Sequence, residues 1–461
     1  MKLLRASMFS VLSCVVAIAV NACGSDAPTE GGPGTGDGSK SPGTFGGNDG
    51  GGGDPDAKPC TNLCLRQKQC GGGKTTTLTG VVKDPAGKVP LYNALVYVPN
   101  AAVAPIKTGA SCERCGDVSG SPLVTALTDA AGRFKLENVP VGADIPLVVQ
   151  IGKWRRQLVV PNVPECVDTT LPDESIRLPR NKQEGDLPQM AIASGQADPF
   201  ECLLTKMGID EAEFTSDTGD GRVHFYRSNG VDTSPSAPAA ASLWNDLNKM
   251  MKYDLLFLPC EGDEINKPDE QDQNLVAYTS AGGRAFTTHY GYAWLHRGAA
   301  PFPSTGSWTP EAGGNNGSIR GDINETFPKG AAFAEWLVNV NASTTRGQLQ
   351  IIESRSDLES ANDPPSTTWM TTSQLVNNKT VPLHITFNTP IGTPEAQQCG
   401  RVVFSDFHVS ADARISGKSF PASCKPGDLS AQEKALEFML FDLSSCIQSD
   451  KEAPVPPPGV K

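Results

Sequence analysis

The rhythm of hydrophobic and polar positions changes near residue 185. Before it, apolar residues fall in short alternating runs. Phe134 and Leu136 alternate with Arg133, Lys135 and Glu137, the period of a strand with one wet face. Ala94–Val98 is a second strand. Turns sit at Asp84-Pro-Ala-Gly87, at Asp129-Ala-Ala-Gly132, at Gly142 and at Gly152. Short alternating strands between such turns predict a β-sandwich over 75–180. The densest basic patch, GKWRRQ at 152–157, reads as a strand with a solvated face.

After residue 185, strand-like and helix-like segments alternate. PQMAIASG is a strand. DPFECLLTKMGI carries Phe200, Leu203, Leu204 and Met207 at helical spacing, with Asp198 as N-cap, Pro199 at N1 and Gly208 as the stop. Arg222–Arg227 is another strand. The centre is Tyr253–His296. There Asp254–Leu258 is a short apolar strand, 271–281 a helix ending at Gly282-Gly283, and Arg284–Thr288 a second strand. Strand, helix and strand at this spacing form a βαβ unit with parallel strands. Further on, FPKGAAFAEWLVNV is a helix, and VPLHITFNTP and GRVVFSDFHV are strands. LSAQEKALEFMLFDLSSC is an amphipathic helix. The fold class expected is multidomain, a sandwich followed by an open α/β sheet over 186–446. A β-rich insertion at 341–398 interrupts the alternation, and 447–461 reads as a disordered tail.

The start of the chain has no such pattern. Lys2 and Arg5 precede a mostly apolar stretch at 8–20. That stretch is too short to span a bilayer and has the layout of a signal peptide over 1–22. Residues 23–74 are Gly-rich and end in a cysteine cluster. Most of this segment cannot bury a core and reads as a disordered tether. Thirteen cysteines suit an oxidising compartment. With Cys14 in the leader and Cys23 set aside, eleven remain, so at least one thiol is left over. Cys112-Glu-Arg-Cys115 reads as a loop disulfide, internal or to Cys166. Cys260 reads as a disulfide or a buried thiol. A net charge of −12 excludes nucleic acid as a partner, since that needs a basic footprint.

Ligands of parallel sheets bind beyond the carboxyl ends of the strands. Glu261, His289, Asp406 and His408 all fall at or just past such ends. Glu261, His289 and His408 are the candidate catalytic set, able to hold a metal or to act as acid and base. Thr288, Tyr290, Tyr292 and Asp406 are the candidate ligand-binding groups. The alternative is that Glu261 caps a helix, Asp406 anchors a turn and the histidines pack. His224 and His384 read as solvent-facing strand residues, and His296 as a helix surface residue. Trp308 and Trp369, in polar loops, are candidates for stacking on sugar. Neither a cofactor nor a particular metal is named by the sequence.

Three resemblances add expectations. Val20-Asn21-Ala22-Cys23 resembles a bacterial lipobox, which implies cleavage before Cys23, its lipidation and a membrane anchor; Gly24 then favours the outer membrane. TGVVKDPAGKVPLYNALVYV with TDAAGRFKLENVPVG resembles the carboxypeptidase regulatory-like module, a transthyretin-type sandwich that is not itself catalytic. YDLLFLPCEG, GGRAFTTHYGY, the FPKG stretch and GRVVFSDFH resemble class I glutamine amidotransferase-like domains, and more closely their ThuA-like branch. In the amidotransferases a cysteine nucleophile follows the strand matching Arg284–Thr288. Here that place is His289, which excludes the usual thiol chemistry there. The function expected is a membrane-tethered binding or scaffold lipoprotein of the cell envelope, with carbohydrate or another polar envelope component as candidate ligand. The alternative is an envelope hydrolase or sugar-modifying enzyme using the histidine/glutamate edge.

Overall fold

The computed structural model describes residues 60–459 apart from 117, 230–236, 378 and 410–417. The leader, Cys23 and the tether up to residue 59 lie outside the described residues. The first described residues are pinned rather than loose. Cys60 bonds Cys64, Cys70 bonds Cys166, and the Arg66 guanidinium donates to the carbonyls of Val141 and Ala143 at 2.7 and 2.8 Å. Residues 60–74, expected as the cysteine-bearing end of the tether, are therefore held against the first region.

Alternation builds the first region. Its strands are β1 (Thr77–Val81), β2 (Leu95–Pro99), β3 (Pro122–Leu127), β4 (Arg133–Glu137), β5 (Gly142–Ile151), β6 (Trp154–Val163) and β7 (Asp168–Thr170). They form a three-stranded sheet, β4-β1-β7, and a four-stranded sheet, β3-β2-β5-β6. In β4, Phe134 and Leu136 are buried while their three charged neighbours are exposed. The basic patch in β6 departs from expectation. Lys153 and Arg155 are buried, and Lys153 Nζ pairs with Asp254 at 2.5 Å and Glu113 at 3.1 Å. These charges tie the first region to the second instead of facing water.

Continuous apolar runs build the second region. Its strands are β8 (Met190–Ser194), β9 (Phe214–Ser216), β10 (Val223–Arg227), β11 (Leu255–Leu258), β12 (Arg284–Thr288), β13 (Gly306–Trp308), β14 (Gly314–Ile323), β15 (Gln348–Arg355), β16 (Leu358–Ala361), β17 (Ser366–Val376), β18 (Lys379–Thr389) and β19 (Gly400–Ser405). Ten of them form one mixed sheet in the order β15-β14-β17-β18-β19-β12-β11-β8-β10-β9. From β19 to β9 the neighbours are parallel; from β15 to β19 they run antiparallel. Every residue of β8, β11, β12 and β19 is buried, as covered parallel strands require. The antiparallel extension begins at Gly314, well before the insertion expected at 341–398. The helices used below are α1 (Phe200–Lys206), α2 (Asp269–Ser280), α3 (Pro328–Asn339) and α4 (Ala431–Ser444). The α2 helix joins β11 to β12 and sets Leu255 beside Arg284 and Leu258 beside Thr287.

The fold is mostly sheet with few helices, and its two regions are not closed separately. Residues 58–461 form one compact unit. The α4 helix is buried on both sides. Phe438 stacks on Tyr92 at 5.7 Å, Phe441 meets Trp154 edge-on at 5.6 Å, and Trp336 of α3 donates to the Pro90 carbonyl at 2.7 Å. Two disulfides cross between the regions, Cys112–Cys399 and Cys115–Cys446, where a local loop bridge was expected. Nor is the end of the chain loose over 447–459. Asp450 is buried, and Thr125 donates to the Pro457 carbonyl at 2.5 Å. None of the described helices is long and apolar enough to cross a membrane.

Candidate functional site

The carboxyl ends of β8, β11, β12 and β19 meet at one place, and each delivers a side chain there. At the end of β12 the chain turns into a short helical turn through His289, whose φ is +35°. A non-glycine residue in that region is strained, and such strain clusters at functional sites. Past β11 comes Cys260, buried and free of any disulfide. Past β19 comes His408. Past β8 comes Asp198, and Gly195 makes room for the approach; a Cβ there would lie 2.1 Å from the Cys260 carbonyl oxygen.

These groups interlock. Cys260 Sγ lies 3.2 Å from His289 Nδ1. The rings of His289 and His408 cross at a 78° angle with centroids 4.8 Å apart. His408 Nδ1 lies 3.1 Å from Asp198 Oδ1. Asp198 also accepts from the Val409 amide at 2.7 Å and the Thr288 hydroxyl at 2.5 Å. Thr288 Oγ1 in turn accepts from the Cys260 amide at 3.0 Å. On the far side, His289 Nε2 lies 3.6 Å from the buried Asp357 Oδ2. One donor atom from each of Cys260, His289 and His408 lies within 4.8 Å of the others.

The electrostatics separate the groups. Burial pushes the Cys260 thiol up to about 12, helped by the nearby Asp198 charge. Burial pulls His289 down to about 3, and the charge of His408 adds to it. His408 goes the other way: burial opposes its charge, but the Asp198 carboxylate outweighs burial and raises its pKa. Asp198 gains reciprocally. Burial would raise it, yet His408 and its hydrogen bonds leave it lowered. Behind His289, burial raises Asp357 to about 6, and burial followed by the Asp357 charge drives Asp406 far higher. The Asp357 charge beside it disfavours a second negative charge on Asp406.

The sequence-predicted residues divide. His289 and His408 come together, with Thr288 one bond behind. Tyr290 stacks against His289, with ring centroids 4.0 Å apart. Asp406 lies behind His289 beside Asp357 and accepts from the Leu358 amide at 3.0 Å. Glu261 does not join: Lys267 and Ser228 engage its carboxylate. Tyr292 turns away and donates to Glu264 at 2.6 Å. His224, His384 and Trp369 depart from expectation. His224 and His384 are buried, bonded to Tyr253 and Ser405. Trp369 is fully buried and offers no face for sugar, while Trp308 is half-buried and packs on Tyr292 and Phe404. Asp198, Cys260 and Asp357 are the residues that sequence reasoning left out of the site. Asp198 caps nothing; the α1 helix opens with no side-chain cap. The carboxyl-edge rule applied to the strand before it would have found it. A cavity of about 400 Å³ opens elsewhere, against Ile106, Lys107, Arg114, Gln150 and Val455, away from this cluster.

No protein-family model matches the chain, and no curated protein matches it by sequence. Solved structures do align with it. A ThuA-like protein from Parabacteroides merdae is 11% identical with a TM-score of 0.30, over 56% of this chain and 91% of its own. A ThuA-like protein from Bacteroides uniformis is 9% identical with a TM-score of 0.30, over 54% and 88%. The mmIFT52 N-terminal domain is 8% identical with a TM-score of 0.32, over 56% and 97%. ThuA-like proteins are thus among its structural neighbours at low identity, and the site is argued from its own geometry.

Proposed function

We propose that this chain is an exported, membrane-tethered binding protein of the cell envelope, anchored through Cys23. Its binding site is the carboxyl edge of β8, β11, β12 and β19. In this reading the two small sheets are the carboxypeptidase regulatory-like sandwich, and the parallel half of the large sheet is the ThuA-like core. The oxidised cysteines and the leader-like start support export. The observation that carries binding over hydrolysis is the state of the candidate nucleophile. Cys260 is buried and its thiol is pushed up to about 12, while its neighbour His289 is held neutral. A catalytic thiol needs the reverse, a lowered pKa and access. Glu261, the other candidate acid or base, is engaged in an ion pair with Lys267.

A second reading has its own observation: Cys260, His289 and Asp357 fall in nucleophile, base and orienter order, at 3.2 and 3.6 Å. Alkylation of the folded, metal-free protein separates the two. Binding predicts that Cys260 reacts with iodoacetamide only after unfolding. Labelling of Cys260 in the native protein at neutral pH, at or above the rate of a free thiol, would establish the hydrolase reading instead. The tether has a separate test: Cys23→Ser should move the protein from membranes to the soluble fraction, and unchanged detergent partitioning refutes the anchor.

A further inference from the structure

We propose that Cys260, His289 and His408 form a mononuclear centre for a thiophilic divalent d-block cation of the zinc type. The inference deepens the binding reading above by naming the ligand class.

The donor set is the first argument. One sulfur and two imidazole nitrogens suit zinc and its neighbours and do not suit calcium or magnesium, which take oxygen. Spacing is the second. A tetrahedral zinc ion holds its ligand atoms about 3.3–3.6 Å apart, from bonds of about 2.3 Å to sulfur and about 2.0–2.1 Å to nitrogen. Cys260 Sγ and His289 Nδ1 are already 3.2 Å apart. The widest gap within the trio is no more than 4.8 Å, so a shift of His408 by about an ångström closes the set.

The groups behind the trio are the third argument. A ligating histidine donates its other ring nitrogen to a carboxylate or carbonyl, which fixes the ring and raises its basicity. Both histidines have a carboxylate in that place. Asp198 holds His408 through Nδ1 at 3.1 Å, which keeps Nε2 as the nitrogen open to a metal. Asp357 faces His289 Nε2 at 3.6 Å through its buried Oδ2, and leaves Nδ1 toward Cys260. A packing cluster has no need of two carboxylates aimed at the backs of two rings. Asp198 is itself fastened by the Val409 amide and Thr288, which makes it a positioning residue. The three protein ligands leave one coordination position for water or an exogenous ligand. As the sulfur–metal bond forms, the Cys260 proton leaves to buffer.

The test uses the full-length protein, stripped by chelator and titrated with Co²⁺ and then Zn²⁺. One Co²⁺ should bind per chain, with sulfur-to-cobalt charge-transfer absorption and tetrahedral d–d bands, and Zn²⁺ should displace it. Cys260→Ser should lose the sulfur band. His408→Gln should keep that band but bind far more weakly. Asp198→Asn should weaken Co²⁺ binding by about 10–100-fold while keeping the sulfur band. His224→Gln, buried elsewhere against Tyr253, should leave stoichiometry and spectrum unchanged. Circular dichroism checks the fold of each variant; should one not fold, the wild-type spectrum decides. Failure of the wild type to bind either ion stoichiometrically, or a sulfur band that survives in folded Cys260→Ser, overturns the proposal. A metal-free result with an unreactive Cys260 would sink the metal centre alone; a rapidly alkylated native Cys260 would sink the binding reading beneath it.

Discussion

The strand β19 carries a buried polar cluster at each end, and the two are built on opposite principles. At its start, Arg401 pairs with Asp442 and Asp450, each at 2.8 Å, and Lys329 pairs with the same two carboxylates at 2.8 and 3.1 Å. Two positive and two negative charges face one another, each touching both of the opposite sign. Past its end, Asp198 meets His408 at 3.1 Å. Burial favours the neutral forms of Cys260 and His289, and Asp357 faces His289 at 3.6 Å. The ionic end is also clipped covalently: Cys399 and Cys446, next to Arg401 and α4, bond back to Cys112 and Cys115. A cluster whose charges balance among themselves locks the structure. A cluster that leaves donors converging on one another is poised for something else.

The largest effect expected is at the ionic end. Arg401→Met leaves two buried carboxylates facing Lys329 alone, and should cost about 3–5 kcal/mol. Denaturant unfolding at neutral pH reads it; a loss under about 1 kcal/mol would mean that the network is not structural. Removing one clip is next. The pair Cys112→Ser with Cys399→Ser should lower stability by about 2–4 kcal/mol, while leaving the histidine end able to bind. Equal damage at both ends would erase the distinction between them.

A third cluster, between the two regions, sharpens the comparison with pH. Asp84 and Glu437 are fully buried and hydrogen-bond to each other. Burial raises Asp84 to about 6; burial and then Asp84 raise Glu437 far above its usual value. Raised acids bind more protons folded than unfolded, so they stabilise the fold below their unfolded pKa. That contribution is lost as pH rises from about 4 through 6 and beyond. The Asp84 shift alone amounts to about 3 kcal/mol. Glu437→Gln should flatten the slope, and melting curves from pH 4 to 8 would show it; an unchanged slope would contradict the pairing. The smallest effect belongs to the trio. Cys260→Ala in metal-free protein should change stability by only about 1 kcal/mol, and a loss several times larger would make Cys260 a packing residue.

Much of the sheet was legible in the sequence, because covered parallel strands are continuous apolar runs and wet-faced strands alternate. The βαβ unit at β11–α2–β12 follows from both signals together with the glycines that end its helix. His289 and His408 could be placed on one edge because the carboxyl-end rule needs only strand ends. Their partners could not. Asp198 sits before a helix-starting proline and reads as a cap until the register of β8 against β11 is known. Asp357 arrives from the antiparallel extension, whose pairing no local pattern specifies. The cross-region disulfides were hidden for the same reason: cysteine spacing carries no information about separations of 287 and 331 residues. The second apolar face of α4, with Phe438 and Phe441, was visible in its residues but needed the first region to explain it.

X-ray absorption at the zinc edge tests the central claim most directly, using full-length protein loaded with one equivalent of Zn²⁺. The account predicts one sulfur at about 2.3 Å and two imidazole nitrogens at about 2.0–2.1 Å, with a fourth light scatterer. A first shell of nitrogen and oxygen alone, with no sulfur, would contradict it.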